Sequence, residues 1–498
     1  MAAISRRGFL QATAGLAAAG LDFASAPAFA EKVAPAARLN IVHFVVHDLG
    51  RYIEPYGAPV ETPNLAAFAR QALVLRNAHC ASPCCMPSRS CAMSGLYAHR
   101  SGMLGTSHGW SLRGDIQTVV DHLNQAGYET ALAGLQHERA ATAENRNPDR
   151  YKVVMNKHGA CVENAVDDAI GYLRARKGGD APFYLNIGTR ETHASLLTPP
   201  FYLKQGRREV YGVDKPGDVR VPDHLPDNAK SREYLAKWVP MVRHLDRHFG
   251  RLVQELDKLP LAGNTLVLFS VDHGIWGARH KSTLYGTGTE ISAMFRLPGK
   301  IAPGGWDVPI ANVDFCPTLL AAAGVAAPVD IDGRSFWQNL TSGSAPTHDH
   351  IFLERNFHTN YDPTRGVRTE RYLYLRNYEP QAHHAYCAPE IMRLPPPVCN
   401  TWPNDPVFSL PQNDPKLAKF PPRGREELFD LQADPRETRN VVHDAEFEKT
   451  RAELAALLDG WMRNTHDPLL AGAIPIPDGI DYPWHPATGA KKGAAAGE

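Results

Sequence analysis

Apolar residues come in short runs along most of this chain, separated by segments with a helical repeat. Residues 39–46, 72–80, 128–133, 183–187 and 265–271 are each dense in apolar side chains. Runs of this length predict buried strands. A helix is predicted from Thr62, as N-cap with Pro63 at the first helical position, to about residue 72. Residues 161–176 carry an amphipathic helical pattern, 231–259 read as mostly helical, and 315–323 as a helix closed by Gly324. Strands alternating with helices predict an α/β domain whose mainly parallel sheet is covered on both faces. Reactive residues in such a sheet lie just beyond the carboxyl ends of the strands.

The texture changes near residue 347. Short strand-like runs such as Tyr372-Leu373-Tyr374-Leu375 are followed by a Pro-rich stretch over residues 386–422. A helical segment over 445–464 precedes a Pro/Gly/Ala tail from Pro475. The expected division is a leader over 1–30, a catalytic domain over 38–345, a C-terminal α+β subdomain with a short antiparallel sheet over 346–474, and an irregular tail over 475–498. No internal repeat is visible.

Composition narrows the function classes. Lys and Arg total 53 against 53 Asp and Glu, so the chain lacks the basic footprint of a nucleic-acid binder. A hydrophobic fraction of 43% over 498 residues supports a large core. Ser5-Arg6-Arg7-Gly8-Phe9-Leu10, an Ala-rich stretch and Ala28-Phe29-Ala30 have the form of a removable twin-arginine export leader. The expectation is a Tat-exported, periplasmic protein without a membrane span. In an oxidising compartment, Cys387 and Cys399 could close a loop through a disulfide.

Four cysteines cluster at Cys80, Cys84, Cys85 and Cys91. Clustered cysteines are commonly metal ligands or disulfides, but C-x3-C-C-x5-C does not match the separated C-x2-C pairs of zinc sites. Residues 88–96 predict a short helix, with Pro87 suited to its first turn. Cys85 would then stand just ahead of a helix N-terminus, where free N–H groups favour an anion. Arg89, about one turn on, can return its guanidinium toward Cys85.

The run Cys85-Met86-Pro87-Ser88-Arg89, continued by Ser90-Cys91-Ala92-Met93-Ser94-Gly95, resembles the signature of the formylglycine-dependent (type I) sulfatases. The resemblance implies an alkaline-phosphatase-like α/β sandwich and a Cys85 oxidised by a formylglycine-generating maturation enzyme. Cys80, Cys84 and Cys91 then read as ordinary buried residues. His47-Asp48 and Asp272-His273, at two strand ends, match the family's ligands to one divalent cation. His47 stands where the family usually has Asp. Two imidazoles suit a transition metal better than Ca²⁺, so His47 is either a weak ligand of Ca²⁺, the ion the resemblance favours, or part of a site for another metal.

Further matches carry other roles. The segment from Pro182 to His193 resembles the family's P-F-F-L-x-x-x-F-H-D-P-H, which makes His193 the implied leaving-group acid and puts Arg190 where the family has another His. Gly134-Leu135-Gln136-His137 resembles G-K-x-H. His137 is kept, the sulfate-binding Lys is replaced by Leu135, and Arg190 is the candidate substitute. Lys281 matches a basic sulfate-binding position. The C-terminal run Glu427-Leu428-Phe429-Asp430-Leu431 with Asp434-Pro435 resembles the family's E-L-Y-D-L-x-x-D-P. Glu354-Arg355-Asn356-Phe357-His358, Arg365-Gly366-Val367, Thr465-His466-Asp467-Pro468 and His99 look most like the heparan N-sulfatase (N-sulfoglucosamine sulfohydrolase) branch, with His99 and His358 as implied substrate contacts.

What the resemblance implies is hydrolysis of a sulfate ester or sulfamate on a sulfated sugar. A hydroxyl of the hydrated aldehyde attacks sulfur, Arg89 and Lys281 stabilise the sulfuryl oxygens, and His193 protonates the leaving group. Two other readings stay open at this level: a phosphonate or phosphodiester hydrolase of the same superfamily, and a non-catalytic sulfated-glycan binder with unmodified Cys85. Oligomeric state is open, with room for a homodimer.

Overall fold

The computed structural model describes residues 38–106, 109–139, 150–176, 181–197, 206–222, 225, 227–275, 280–358, 361–379 and 423–477. The leader, Cys387, Cys399, the Pro-rich stretch and most of the tail lie outside them.

The first strand, β1 (Asn40–Val46), is buried at all seven positions, as expected of a central parallel strand covered on both faces. Its His43 is a satisfied core residue, bonded to Tyr184 Oη at 3.1 Å and Ser270 Oγ at 2.8 Å. Burial and the charge of Arg89 lower its pKa to about 3, so the ring is neutral. β2 (Leu73–Leu75), β4 (Glu129–Gly134), β5 (Val153–Met155), β6 (Phe183–Gly188), β7 (Thr265–Val271), β8 (Ala293–Arg296) and β9 (Gly304–Trp306) complete one eight-stranded sheet with β1. The order is β5-β4-β6-β1-β7-β8-β2-β9. The five strands from β5 to β7 run parallel, and β8 is antiparallel to β7 and β2. The predicted α/β class, with its mainly parallel sheet, is the observed one.

The expected strand over 72–80 and the first helix differ in detail. The expected strand over 72–80 is two pieces, β2 in the main sheet and β3 (Ala78–His79), which pairs with β10 (Ile310–Ala311). Arg76 marks the break, its N–H bonding Trp306 O and its guanidinium reaching Asp307. Helix α1 (Pro63–Ala69) starts at Pro63 as expected, but Thr62 does not cap it. The Thr62 hydroxyl accepts from Glu54 N–H, while Asp246 receives the free N–H groups of Asn64 and Leu65. The cap is therefore tertiary, delivered by a carboxylate 181 residues on in sequence.

Helix α2 (Cys85–Ser94) has all ten residues buried and ends at Gly95, whose φ of +70° is the left-handed cap that glycine adopts freely. It begins three residues before the expected Ser88, with Cys84 as N-cap. Cys85 thus occupies the first helical position instead of standing ahead of the helix. Helices α3 (Val119–Gln125), α4 (Val162–Ala175), α5 (Ala229–Asp257) and α6 (Phe315–Ala322) flank the sheet.

The C-terminal part is the expected antiparallel sheet, of four strands in the order β11 (His350–Phe357), β12 (Tyr361–Thr369), β13 (Tyr372–Asn377) and β14 (Glu426–Asp430), with α7 (Glu448–Asn464) against it. Its core is continuous with the apolar residues of α2, among them Met86 and Cys91. From Arg38 onward the fold is one compact unit. No helix among the described residues is long and apolar enough to cross a membrane.

A buried ionic knot fastens this sheet. Arg365, fully buried on β12, grips both Asp467 oxygens at 2.5 and 3.0 Å and lies 3.7 Å from Glu354. Glu354 also receives the His99 N–H at 3.1 Å and bonds its ring at 3.0 Å. Burial pushes the Glu354 carboxyl up, but His99 and Arg365 outweigh it and hold the pKa at about 2. Replacing Arg365 with Met strands Asp467 and Glu354 in the core, and urea unfolding should show a loss of about 3–5 kcal/mol. Because the folded pKa of Glu354 is depressed, its contribution is present above pH 4.5 and is lost as pH falls toward 2. Glu354→Gln should flatten that acid limb of the stability curve.

Candidate active site

Four parallel strands deliver the site at their carboxyl ends: β1 gives His47 and Asp48, β4 leads to His137, β6 to His193, and β7 to Asp272 and His273. The chain is held in unusual conformations to do so. Asp48, His137 and Ser282 have φ of +48°, +52° and +68°, a region that costs a non-glycine residue about 1–3 kcal/mol. Gly188 at the end of β6 has no room for a side chain: a Cβ there would lie 1.7 Å from Leu135 O. That absence lets the loops after β4 and β6 run side by side.

Asp272 is the most heavily bonded group. Its Oδ1 accepts from the backbone N–H of Asp48 at 3.0 Å and of His273 at 2.9 Å. Its Oδ2 accepts from Arg89 Nε at 3.1 Å and lies 3.0 Å from His47 Nδ1. Asp48, the second carboxylate, receives two bonds from Lys281 Nζ, each at 3.0 Å. Burial raises the pKa of both acids, but the surrounding cations win and keep both ionised. The same pairing acts on the partners. Burial opposes the charged form of His47, yet Asp272 and the hydrogen bonds to Asp272 and Asp48 lift its pKa to about 10. Lys281, 1% exposed, is likewise held charged by Asp48.

Cys85 points into this cluster, its Sγ 3.2 Å from His273 Nε2 and 3.9 Å from Asp48 Oδ1. The His273 Nδ1 lies 2.9 Å from Gly274 O, a partner that can only accept, so that nitrogen carries a proton. Burial works against a thiolate, but Lys281, His273 and hydrogen bonds from His193 and His273 take the Cys85 pKa well below the ordinary thiol value. Its neighbours go the other way. Burial pushes Cys84 up to about 11 and raises Cys80 and Cys91 as well. Of these four thiols, Cys85 is the one whose pKa is pulled down, at the first turn of α2 where the helix dipole favours an anion.

His193, with 24% of its side chain exposed, is the partly open member of the group. Ser195 N–H donates to its Nδ1 at 3.1 Å, so the neutral ring carries its proton on Nε2, which faces Asp48 Oδ2 at 3.9 Å. His137 Nδ1 contacts His47 Nε2 at 3.2 Å. Burial and the charge of His47 depress its pKa to about 3 and leave it neutral. The ring of His358, after β11, is held neutral by burial and by the charge of Lys281.

Two expected substrate contacts have other surroundings. His99 is buried against Glu354, parallel to the Tyr97 ring and edge-on to Trp461. Its ring lies in the ionic knot, with 1% of the side chain exposed. Arg190 is placed by a backbone bond to Ala160, and its charge bears on the Cys161 thiol. Three supporting residues carried no assigned role in the sequence: Ser195, which orients His193; Ser88, whose hydroxyl donates to Asp272 O; and Asn312, which bonds Ser88 at 2.9 and 3.0 Å.

Ligand atoms of His47, Asp48, Cys85, Asp272 and His273 all lie within 4.8 Å of one another. Two ionised, buried carboxylates with imidazole nitrogens between them fit a divalent cation. Residues 40–325 match the sulfatase family model. The chain belongs to the sulfatase family. Its reaction class is hydrolysis of a sulfate ester or sulfamate. Residues 273–387 match a second model, the C-terminal region of N-sulphoglucosamine sulphohydrolase. The human N-sulphoglucosamine sulphohydrolase is 26% identical over 84% of this chain and 88% of its own length. An ulvan-active sulfatase of Formosa agariphila is 24% identical over 85% of this chain and 75% of its own. A solved structure in complex with its substrate D-glucosamine-2-N,6-O-disulfate superposes with a TM-score of 0.65 at 19% identity, over 86% of this chain and 98% of that one. It confirms the sulfatase sandwich fold.

Lys281 is a main cause of the low Cys85 pKa. In protein kept in the thiol form, Lys281→Met should therefore move the ultraviolet thiolate transition of residue 85 to higher pH by at least about one unit, roughly 1.4 kcal/mol of charge stabilisation. An unchanged transition would exclude the ammonium as its cause.

Proposed function

We propose that this sulfatase is an exported enzyme that removes a sulfuryl group from glucosamine in a sulfated glycan, the N-sulfo group first, using formylglycine made from Cys85 by a maturation enzyme. The observation that carries the reading is Cys85 itself: the one strongly acidified thiol of four, seated at the start of α2 against His273 and Asp48. The second family model, the human relative and the runs through Glu354, Arg365 and Asp467 favour the N-sulfo group over an O-sulfate. The leader at Arg6-Arg7 supports Tat export to the periplasm.

Each residue has a part consistent with its position. Asp48 and Asp272, with His47 and His273 giving up a ring proton to the ion, would hold one divalent cation, Ca²⁺ by family likeness. A formylglycine at residue 85 would supply the attacking hydroxyl as its hydrate, and a cation held by these residues would supply polarisation of the sulfuryl oxygens. Lys281 and Arg89 hold the two carboxylates and add positive charge where sulfuryl charge develops. His193 in its doubly protonated form, with Nδ1 bonded to Ser195 Oγ at 2.7 Å, is suited to hand the Nε2 proton to the departing nitrogen or oxygen. His358 and His137 line the same cluster as neutral donors.

Protein made with a formylglycine-generating system should show the aldehyde at residue 85 by peptide mass spectrometry. It should release sulfate from N-sulfoglucosamine faster than from O-sulfated glucosamine or an aryl phosphonate. Sugar desulfation by material carrying only thiol at residue 85 would refute the mechanism, and a preference for the phosphonate would refute the substrate class. His193→Ala should lower kcat on the sugar by about 10²–10⁴-fold. An activated aryl sulfate, which needs no proton on leaving, should lose far less.

A further inference from the structure

Beside Arg89 and Asp272 lies a small cavity of about 20 Å³. Arg89, Glu138 and Asn186 are among the residues lining it. Each has one buried polar atom without a hydrogen-bond partner: Arg89 Nη2, Glu138 Oε2 and Asn186 Oδ1. Three such atoms around one cavity call for an explanation, since an unmet buried polar group costs about 1–3 kcal/mol.

The donor and acceptor count supplies it. A water needs about 10–15 Å³ and two to four polar partners. It can accept from the Arg89 N–H and donate one proton each to Glu138 and Asn186, which satisfies all three atoms at once. The rest of the Arg89 guanidinium is already directed, Nε to Asp272 Oδ2 at 3.1 Å and Nη1 to Gln136 O at 3.4 Å. Only its third nitrogen depends on the cavity. Glu138 is 3% exposed and follows His137 directly; burial pushes its pKa up to about 7, against the opposing pull of Arg139 and Arg89.

We infer that Glu138 is a positioning residue: with Asn186 and one cavity water it fixes the guanidinium of Arg89, and through it the Asp272 carboxylate that faces the cation site. The inference rests on the reading of Asp272 as a cation ligand. Outer partners of metal ligands commonly govern affinity by about 10–100-fold.

The test is calorimetric titration of chelator-treated full-length protein with calcium and, in a second series, manganese. Glu138→Leu should weaken binding of whichever ion the wild type takes by about 10-fold or more, and Glu138→Gln, which can still bond the water, by no more than about 3-fold. A high-resolution crystal structure of the wild type should show a water bonded to all three atoms. If Glu138→Leu does not fold, by circular dichroism, Asn186→Ser takes its place with weaker binding expected. Wild-type affinity in folded Glu138→Leu, an equal loss in the Gln variant, or a cavity without the water would each overturn the inference. A protein that binds the cation with this dependence yet releases no sulfate would instead overturn the proposed function alone.

Discussion

Two carboxylates buried side by side, Asp48 and Asp272, are the constraint around which the rest of the site is arranged. An isolated buried carboxylate is so costly that it would take a proton. These two stay charged because Lys281, Arg89, His47 and His273 surround them. The stabilisation is mutual, so removing one member changes the charge state of its neighbours. Cys85 shares in this balance: Lys281 and His273, which help keep the acids ionised, also pull down the pKa of its thiol.

The fold brings these groups together by register. β6, β1 and β7 are adjacent parallel strands, so their carboxyl ends emerge at one level. The backbone then locks the ends to each other. His47 N–H donates to Glu191 O, Thr192 N–H returns to His47 O, and Asp272 N–H donates to Val46 O. Trp238 from α5 pins the Thr192 carbonyl from behind. Side-chain positions at the site are thus set by main-chain bonds between strands far apart in sequence.

Legibility followed locality. The strand over 265–271 was readable to the residue, because a continuous apolar run between turn signals depends on nothing remote. The Cys85 motif and the pairs at 47–48 and 272–273 were readable because their spacing is short. The start of α2 was not: its first turn carries no apolar repeat, since all sides of that helix are buried. The cap of α1 came from Asp246, beyond any local window. His99 matched a branch position, yet its partner in the fold is Glu354, 255 residues away. Glu138 had no local signal either, because a lone acid after a histidine looks like any solvated surface charge.

The burial of α2 has a consequence for how this molecule comes to be. Cys85 is 3% exposed, at the base of a helix with no face toward solvent. Another enzyme acting on this sulfur would need to draw out a length of chain. Any editing of that sulfur by a second protein therefore belongs to the interval before the polypeptide closes, and the order of events in its biogenesis is written into the packing of ten residues.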